Sequence, residues 1–323
     1  MDFSVVIATY NGAQRLPRVL DKLKIQLLRE EINWEVLVVD NNSQDDTALI
    51  VASYAEKWRE DSKLQYVFEP KQGAAYARFR GVQEANSSNL IGFLDDDNLP
   101  AENWVAEAYK FGCDRPQVGA YGGIIYAQLD TPEPHYFNQV KGYLTIYNRG
   151  NQAFQYKRSA KPRRIPAAPG VVIRKQVWQE TIPPPDKLLI GGRDAKTMAA
   201  GEDAEMMSYI QNSSWEVWHN PKMEIWHCIP SHRLEKLYLL KLARGYGLSN
   251  YLTRLARYRK WQRPLIRLIT PLYTMRDSLK LLRYYWQHKG FLEDDLGKAC
   301  ELEVKIGQLY SPYLWLYSAL HNQ

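Results

Sequence analysis

Glu35-Val36-Leu37-Val38-Val39-Asp40-Asn41-Asn42-Ser43 decides the fold of this chain. Its apolar run does not alternate, which marks a strand buried on both faces, as in a parallel sheet, and it stops at a carboxylate and an Asn-rich turn. Ser4-Val5-Val6-Ile7-Ala8 repeats the pattern upstream and ends in Thr9-Tyr10-Asn11-Gly12. Leu90-Ile91-Gly92-Phe93-Leu94 repeats it downstream and ends in Asp95-Asp96-Asp97. Between them Leu16, Val19, Leu20, Leu23 and Leu27 keep helical spacing, and Asp45-Asp46-Thr47 starts a second helix running to about Trp58. Leu64 to Phe68 reads as a third strand, followed by a helix from about Gly73 to Ala85. Strand and helix in this rhythm predict an α/β fold with a doubly wound, mostly parallel sheet. Ligands bind beyond the carboxyl ends of such strands, where Asn11, Asp40 and Asp95 to Asp97 all fall.

Past Pro100 the pattern loosens. Val118 to Gln128 reads as a strand interrupted by Gly122-Gly123, and residues 131–169 as loops facing an acceptor. Val171 to Ile173 reads as a short strand, and Lys187 to Ala200 as a mobile stretch with a hinge at Gly191-Gly192. Ala204 to Gln211 is expected to be helical, with strands at Trp215 to His219 and Met223 to His227.

The chain has 323 residues and a net charge of +6, unevenly spread. From Arg233 to Lys289 there are 14 Lys or Arg and two acids, a local +12, so the remainder carries −6. An acidic body and a basic, aromatic tail are therefore expected, divided at residues 232 and 233. Cys113, Cys228 and Cys300 are odd in number and scattered, which reads as reduced thiols of a cytoplasmic protein. Met1-Asp2-Phe3 does not begin a signal peptide, and 18 uncharged apolar residues never run together.

Three adjacent carboxylates repel one another, and a hard divalent cation, Mg²⁺ or Mn²⁺, offsets that repulsion while recruiting phosphates. A solvated acidic turn is the bland reading of the same tetrapeptide. Gly201-Glu202-Asp203 is ordinary helix-start chemistry, and equally the place for a proton-accepting carboxylate. His227, between Trp226 and Cys228, reads either as a satisfied core residue or as a metal ligand; His219 is a weaker alternative. Trp104, Tyr121, Trp215 and Trp218 are candidate flat faces for a ligand to stack on.

Taken in order, Ala8 to Gly12, Val38 to Ser43, Gly73 with Ala77-Arg78 and Gly81, Asp95-Asp96-Asp97, Gly201-Glu202-Asp203 and His227 resemble family 2 glycosyltransferases. The chain is also similar to cyanobacterial enzymes of hormogonium and other exopolysaccharide synthesis. The family resemblance covers residues 3 to 235 and implies a GT-A fold and an inverting, hexosyltransferase-like transfer from a nucleotide-diphosphate sugar, taken here as a UDP-sugar. It implies that Thr9 and Asn11 lie against the nucleotide, that Asp40 accepts the uracil N3–H, and that Arg78 approaches the diphosphate. In the Asp-x-Asp motif it assigns Asp95 to the ribose side and Asp97 to the metal. Asp96 points elsewhere or orients the donor sugar. It makes Asp203 the general base with Glu202 beside it, and His227 a further metal or phosphate ligand. Phe79 and Tyr209 depart from the family, which has Asn and Arg there.

The tail keeps helical spacing at Leu237, Leu240, Arg244, Leu252 and Arg259, with Pro264 and Pro271 breaking it into separate helices. A cationic amphipathic helix suits an anionic membrane surface, and equally a solvated face packed on the catalytic domain. No nucleic-acid module is recognised. Processive members of the family carry Gln-x-x-Arg-Trp; Arg257-Tyr258-Arg259-Lys260-Trp261 does not match, which implies transfer of one sugar to a glycan or lipid-linked acceptor. Two rival readings are a sugar-1-phosphate nucleotidyltransferase and a non-catalytic carbohydrate-binding protein.

Overall fold

The apolar runs become the strands that their composition predicts, and helices join them. The structure, a computed structural model, describes residues 1–28, 31–87, 89–190, 198–199 and 201–321. The expected hinge at Gly191-Gly192 lies outside these residues. In chain order come β1 (Phe3–Thr9), α1 (Leu16–Lys24), β2 (Trp34–Asp40), α2 (Thr47–Ala55), β3 (Ser62–Phe68), α3 (Ala74–Glu84), β4 (Leu90–Asp95) and β5 (Asn98–Pro100). They are followed by α4 (Trp104–Asp114), β6 (Val118–Leu129), α5 (Phe137–Val140), β7 (Phe154–Gln155), β8 (Val172–Arg174), α6 (Lys175–Thr181), α7 (Glu202–Gln211) and β9 (Glu216–Ile229). The tail forms α8 (Lys236–Leu248), α9 (Asn250–Ala256), α10 (Arg263–Leu268), α11 (Thr270–His288) and α12 (Leu296–His321).

Contacts divide the chain into two compact units. One comprises Met1–Gln128, Tyr147–Leu188 and Met206–Cys228; the other comprises Leu129–Ile146, Leu189–Glu205 and Ile229–Gln323. Two short segments thus group with the tail.

The sheet runs β3-β2-β1-β4-β8-β6-β9-β5, with β7 paired to β9. β1 pairs in parallel with β2 and with β4, and β2 with β3. β8 pairs antiparallel with β4 and with β6. The chain winds outward from β1 to β3 and returns to β4 on the other side of β1, so the switch point lies between β1 and β4. Register aligns Thr9 with Asp40, and Ala8 with Asp95, at that edge. Every residue of β2 is buried, as its unbroken apolar run requires.

Two expected breaks are absent. β6 runs through Gly122-Gly123, because a Cβ at Gly123 would fall 1.7 Å from the Met223 carbonyl oxygen of β9. Glycine here permits close backbone approach rather than a stop. β9 continues through Asn220-Pro221, since Pro221 falls between the residues paired with β7 (Trp218, His219) and those paired with β5 (Ile225 to His227). A missing N–H there interrupts neither ladder. α1 ends at Lys24, short of the exposed Leu27. Pro264 and Pro271 divide the tail into separate helices as expected, each sitting in the first turn of the helix it starts, α10 or α11, where no N–H partner is needed.

Glu35 is fully buried. Its carboxylate accepts from Ser4 Oγ (2.6 Å), Gln65 Nε2 (2.9 Å), Asn86 N (2.6 Å) and Asn86 Nδ2 (2.7 Å), tying together β1, β2, β3 and the residues after α3. Glu35→Ala leaves four donors without an acceptor and is expected to cost about 3 kcal/mol in urea unfolding. Glu35→Gln, which keeps one acceptor oxygen, is expected to cost less.

In the second unit, α8 and α12 cross at two glycines. A Cβ at Gly247 would meet the Val304 carbonyl oxygen at 2.2 Å, and one at Gly307 the Arg244 carbonyl oxygen at 2.4 Å. Arg244 Nε and Glu303 Oε2, 2.5 Å apart, close the same crossing.

Candidate active site

The carboxyl ends of β1, β2 and β4 carry short polar loops that bond to one another before any ligand is considered. Asn11, at φ 49°, turns the chain after β1, and its N–H donates to Ser43 Oγ (2.8 Å). Gly12 N donates to Thr47 Oγ1 (2.9 Å) and Ala13 N to Asp45 Oδ2 (3.1 Å), while Asn11 Oδ1 accepts from Gln44 N (2.8 Å). The loop after β1 is thus latched to the loop after β2. Asn41, also buried, accepts from Gly73 N (2.7 Å) and donates to the Lys71 carbonyl (2.6 Å), fixing the loop that leads into α3.

Asp40 is buried, with Oδ1 accepting from Ser43 N (2.9 Å) and Oδ2 from Tyr66 Oη (2.7 Å). Burial, and then the bond to Asp40, push the Tyr66 phenol up to about 12. Each carboxylate oxygen keeps a second lone pair for an imide N–H. Register could have exposed this partner: Val38 pairs with Tyr66, and Asp40 is the diagonal neighbour on the same face.

The three aspartates point three ways. Asp95 takes Arg78 Nη2 at 3.3 Å, and Arg78 is itself buried on α3. Burial pushes the Asp95 carboxyl up; Arg78 opposes this, while Asp97 and Asp96 add to it. Asp96 is gripped bidentately by Arg15, Nε to Oδ1 at 2.9 Å and Nη2 to Oδ2 at 2.8 Å, and also accepts from Thr9 Oγ1 (2.7 Å). Those bonds to Asp96 hold the Arg15 guanidinium above its ordinary range. Arg15 and its carboxylate lie 81 positions apart, and neither residue alone announces the pairing. Arg15→Ala leaves Asp96 beside two like charges. It is expected to cost about 1–2 kcal/mol in urea unfolding, the low side for a charged pair because Arg15 is 45% exposed.

Asp97 faces β9. Asn98 pairs with His227, Cys228 N donates to the Asp97 carbonyl oxygen (2.9 Å), and His227 Nε2 stands 3.3 Å from Asp97 Oδ2. Ligands in adjacent octahedral positions about 2.1 Å from a divalent ion stand about 3 Å apart, so this carboxylate–imidazole pair fits one. Among the described residues, no group of three or more His, Cys, Asp or Glu that could hold a metal was found.

Other candidates separate. His219 is fully buried, its Nε2 3.2 Å from the Gly150 carbonyl oxygen and its ring against Phe154; burial lowers its pKa. It is a core residue. Trp104 and Tyr121 are likewise buried, Trp104 against Phe3 and Tyr121 bonded to the Ala108 carbonyl, so neither can face a sugar. Trp215 is tied to Glu180, and Trp218 packs on Phe111. Phe79 packs on Trp178, and Arg80 pairs with Glu84 at 3.0 Å, about half a turn round α3 from Arg78.

Glu202 and Asp203 belong to the second unit, in the first turn of α7 with Glu205. Glu202 is buried, its Oε2 3.2 Å from Gly201 N, and Asp203 is half-buried. Glu205, unremarked in the sequence, is fully buried and accepts from Leu189 N (2.8 Å) and Ile190 N (2.9 Å), anchoring the segment that precedes residue 191.

The profile of glycosyl transferase family 2 matches residues 4–180, more than half of the chain. Glycosyltransferase AglE of Haloferax volcanii is 25% identical over 189 residues, 58% of this chain and 58% of that one. Validoxylamine A glucosyltransferase of Streptomyces hygroscopicus subsp. jinggangensis is 39% identical over 134 residues, 41% of this chain and 30% of that one. The chain spans little more than half of the first relative and less than a third of the second. Among solved structures, mannosyltransferase PcManGT from Pyrobaculum calidifontis, in complex with GDP-Man and Mn²⁺, superposes with a TM-score of 0.58 at 18% identity, covering 95% of this chain and 87% of that one. S. aureus TarS 1-349 in complex with UDP gives a TM-score of 0.53 at 14% identity, covering 100% and 92%. At these identities the likeness establishes a shared GT-A fold.

Proposed function

The chain belongs to glycosyl transferase family 2, and from that premise we propose that it is a metal-dependent, inverting glycosyltransferase that moves one sugar from a UDP-sugar. The acceptor is a hydroxyl of a glycan or lipid-linked sugar in polysaccharide synthesis of the exopolysaccharide type, at the inner face of the plasma membrane. The observation that carries this reading is the Asp97–His227 pair, formed where the turn after β4 meets β9, with Asp95 and Arg78 at the end of β4. A divalent ion bound there, Mn²⁺ or Mg²⁺, supplies Lewis-acid neutralisation of the leaving diphosphate.

The chain's own groups do the rest. Asp40, held by Tyr66 and Ser43, accepts the N3–H of uracil, and Thr9 and Asn11 hold the loop against the nucleoside. Asp95 faces the ribose, Arg78 offers its guanidinium to the diphosphate, and Asp96 keeps the loop in place through Arg15 and Thr9. Asp203 takes the proton of the acceptor hydroxyl, whose oxygen attacks the anomeric carbon as the bond to phosphate breaks. The nucleoside diphosphate leaves and the configuration inverts. Glu202 steadies the start of α7.

The rival nucleotidyltransferase reading needs free backbone N–H groups after β1 to cradle phosphate. Those of Asn11, Gly12 and Ala13 are taken by Ser43, Thr47 and Asp45, which favours the transferase. Calorimetric titration with UDP, with and without Mn²⁺, tests the reading; UDP binding that depends on the metal is expected. Failure of UDP, GDP and dTDP alike to bind in any condition would overturn it.

A further inference from the structure

α11 is inside out. Its leucine face looks to solvent: Leu272, Met275, Leu279, Leu282 and Trp286, spaced three, four, three and four, are 56–66% exposed. Leu265 and Leu268 on α10, and Trp261 before it, carry the same spacing backwards at 60–77% exposed. The opposite face, about half a turn round, is buried and polar. There Asp277 pairs with Arg254 (3.2 Å) and Arg276 (2.6 Å), and the Tyr284 hydroxyl meets Glu301 Oε2 at 3.1 Å. Large apolar side chains left in water forgo the free energy of burial, so a row of them marks a docking face.

Charge chooses the occupant. From Arg257 to Phe291 the chain has nine Lys or Arg and one acid, Asp277, which is buried in its ion pairs. Arg276, Lys280 and Arg283 flank the row on one side and Lys289 on the other. A second copy seated on the row would set cations against cations, the arrangement that opposes helix pairing. Anionic lipid headgroups complement those flanks, and Trp261 and Trp286 at the ends suit the headgroup boundary. Among the described residues no helix is long and apolar enough to cross a membrane. We propose that the 261–286 face lies flat on an anionic lipid bilayer, its apolar row about 5–10 Å into the acyl boundary.

This deepens the membrane reading above, narrowing it to one face. The test is co-sedimentation of the full chain with phosphatidylcholine vesicles, with and without phosphatidylglycerol. Sedimentation velocity and UDP titration run alongside. Wild type is expected to pellet with the anionic vesicles at least about tenfold more strongly than with neutral ones. Leu272→Glu with Leu279→Glu is expected to abolish pelleting, and Lys280→Glu with Arg283→Glu to remove the anionic preference, both with UDP binding retained. Absence of pelleting, or equal pelleting with neutral vesicles, would overturn the proposal. So would a wild-type dimer that the leucine variant splits, which would give the row to a second copy. Pelleting that needs the row while UDP fails to bind would uphold the docking face and sink only the catalytic reading.

Discussion

Replacing Asp97 by Ala is expected to cut sugar transfer about a thousandfold or more and to make UDP binding indifferent to Mn²⁺. Asp97 is the carboxylate that faces His227 at 3.3 Å, whereas Asp95 is engaged by Arg78 and Asp96 by Arg15 and Thr9. The three substitutions should therefore differ in kind. Asp97→Ala removes half of the proposed metal pair and one bond of the loop, that from Asn98 Nδ2 (2.9 Å), so unfolding by urea should shift by about 1 kcal/mol while the loss of transfer is far larger. Asp96→Ala instead strands the Arg15 guanidinium and should show first in stability. Lewis-acid neutralisation of a departing diphosphate is worth several kcal/mol, which sets the size of the rate loss. Initial rates and calorimetry on the same preparations check both halves. Transfer by Asp97→Ala within tenfold of wild type, still stimulated by Mn²⁺, would place the metal elsewhere.

How much of this could be read beforehand follows a physical divide. Parallel strands buried on both faces have nowhere to put polar side chains, so Val36 to Val39 and Leu90 to Leu94 announced themselves, and their ends marked the edge at which Asp40 and Asp95 flank β1. Contacts across long sequence separation carry no such local signal. The Arg15 grip on Asp96 and the latch from Asn11, Gly12 and Ala13 to Ser43, Thr47 and Asp45 arise only once β1, β2 and β4 lie side by side. Glycine misled at Gly122-Gly123 because its local meaning is a break, whereas here it lets the backbone of β9 come close. Periodicity found the helical tail, but not which way α11 turns: a 3–4 row of leucines has the same spacing facing a core or a solvent-side partner. Trp104 and Tyr121 were open to a sugar by type and closed to it by burial.

Asp203→Asn should lower kcat about 10²–10⁴-fold while leaving UDP affinity and its Mn²⁺ dependence as in wild type. Asn fills the same space and can still accept a hydrogen bond, but it cannot take the proton of the acceptor hydroxyl. The stability cost should be small. Glu202, Asp203 and Glu205 all sit in the first turn of α7, where each anion gains about 0.3–1 kcal/mol from the helix N-terminus. Glu205 is the member that holds backbone, through Leu189 and Ile190 N–H, so Glu205→Ala should show its effect in unfolding, and Glu202→Gln should do little to either. A rate loss confined to Asp203, with thermal unfolding unmoved, is what a base predicts and a helix-start residue does not. Equal, modest rate losses at all three positions would instead reduce the trio to helix-start chemistry and move the search for the base to another carboxylate.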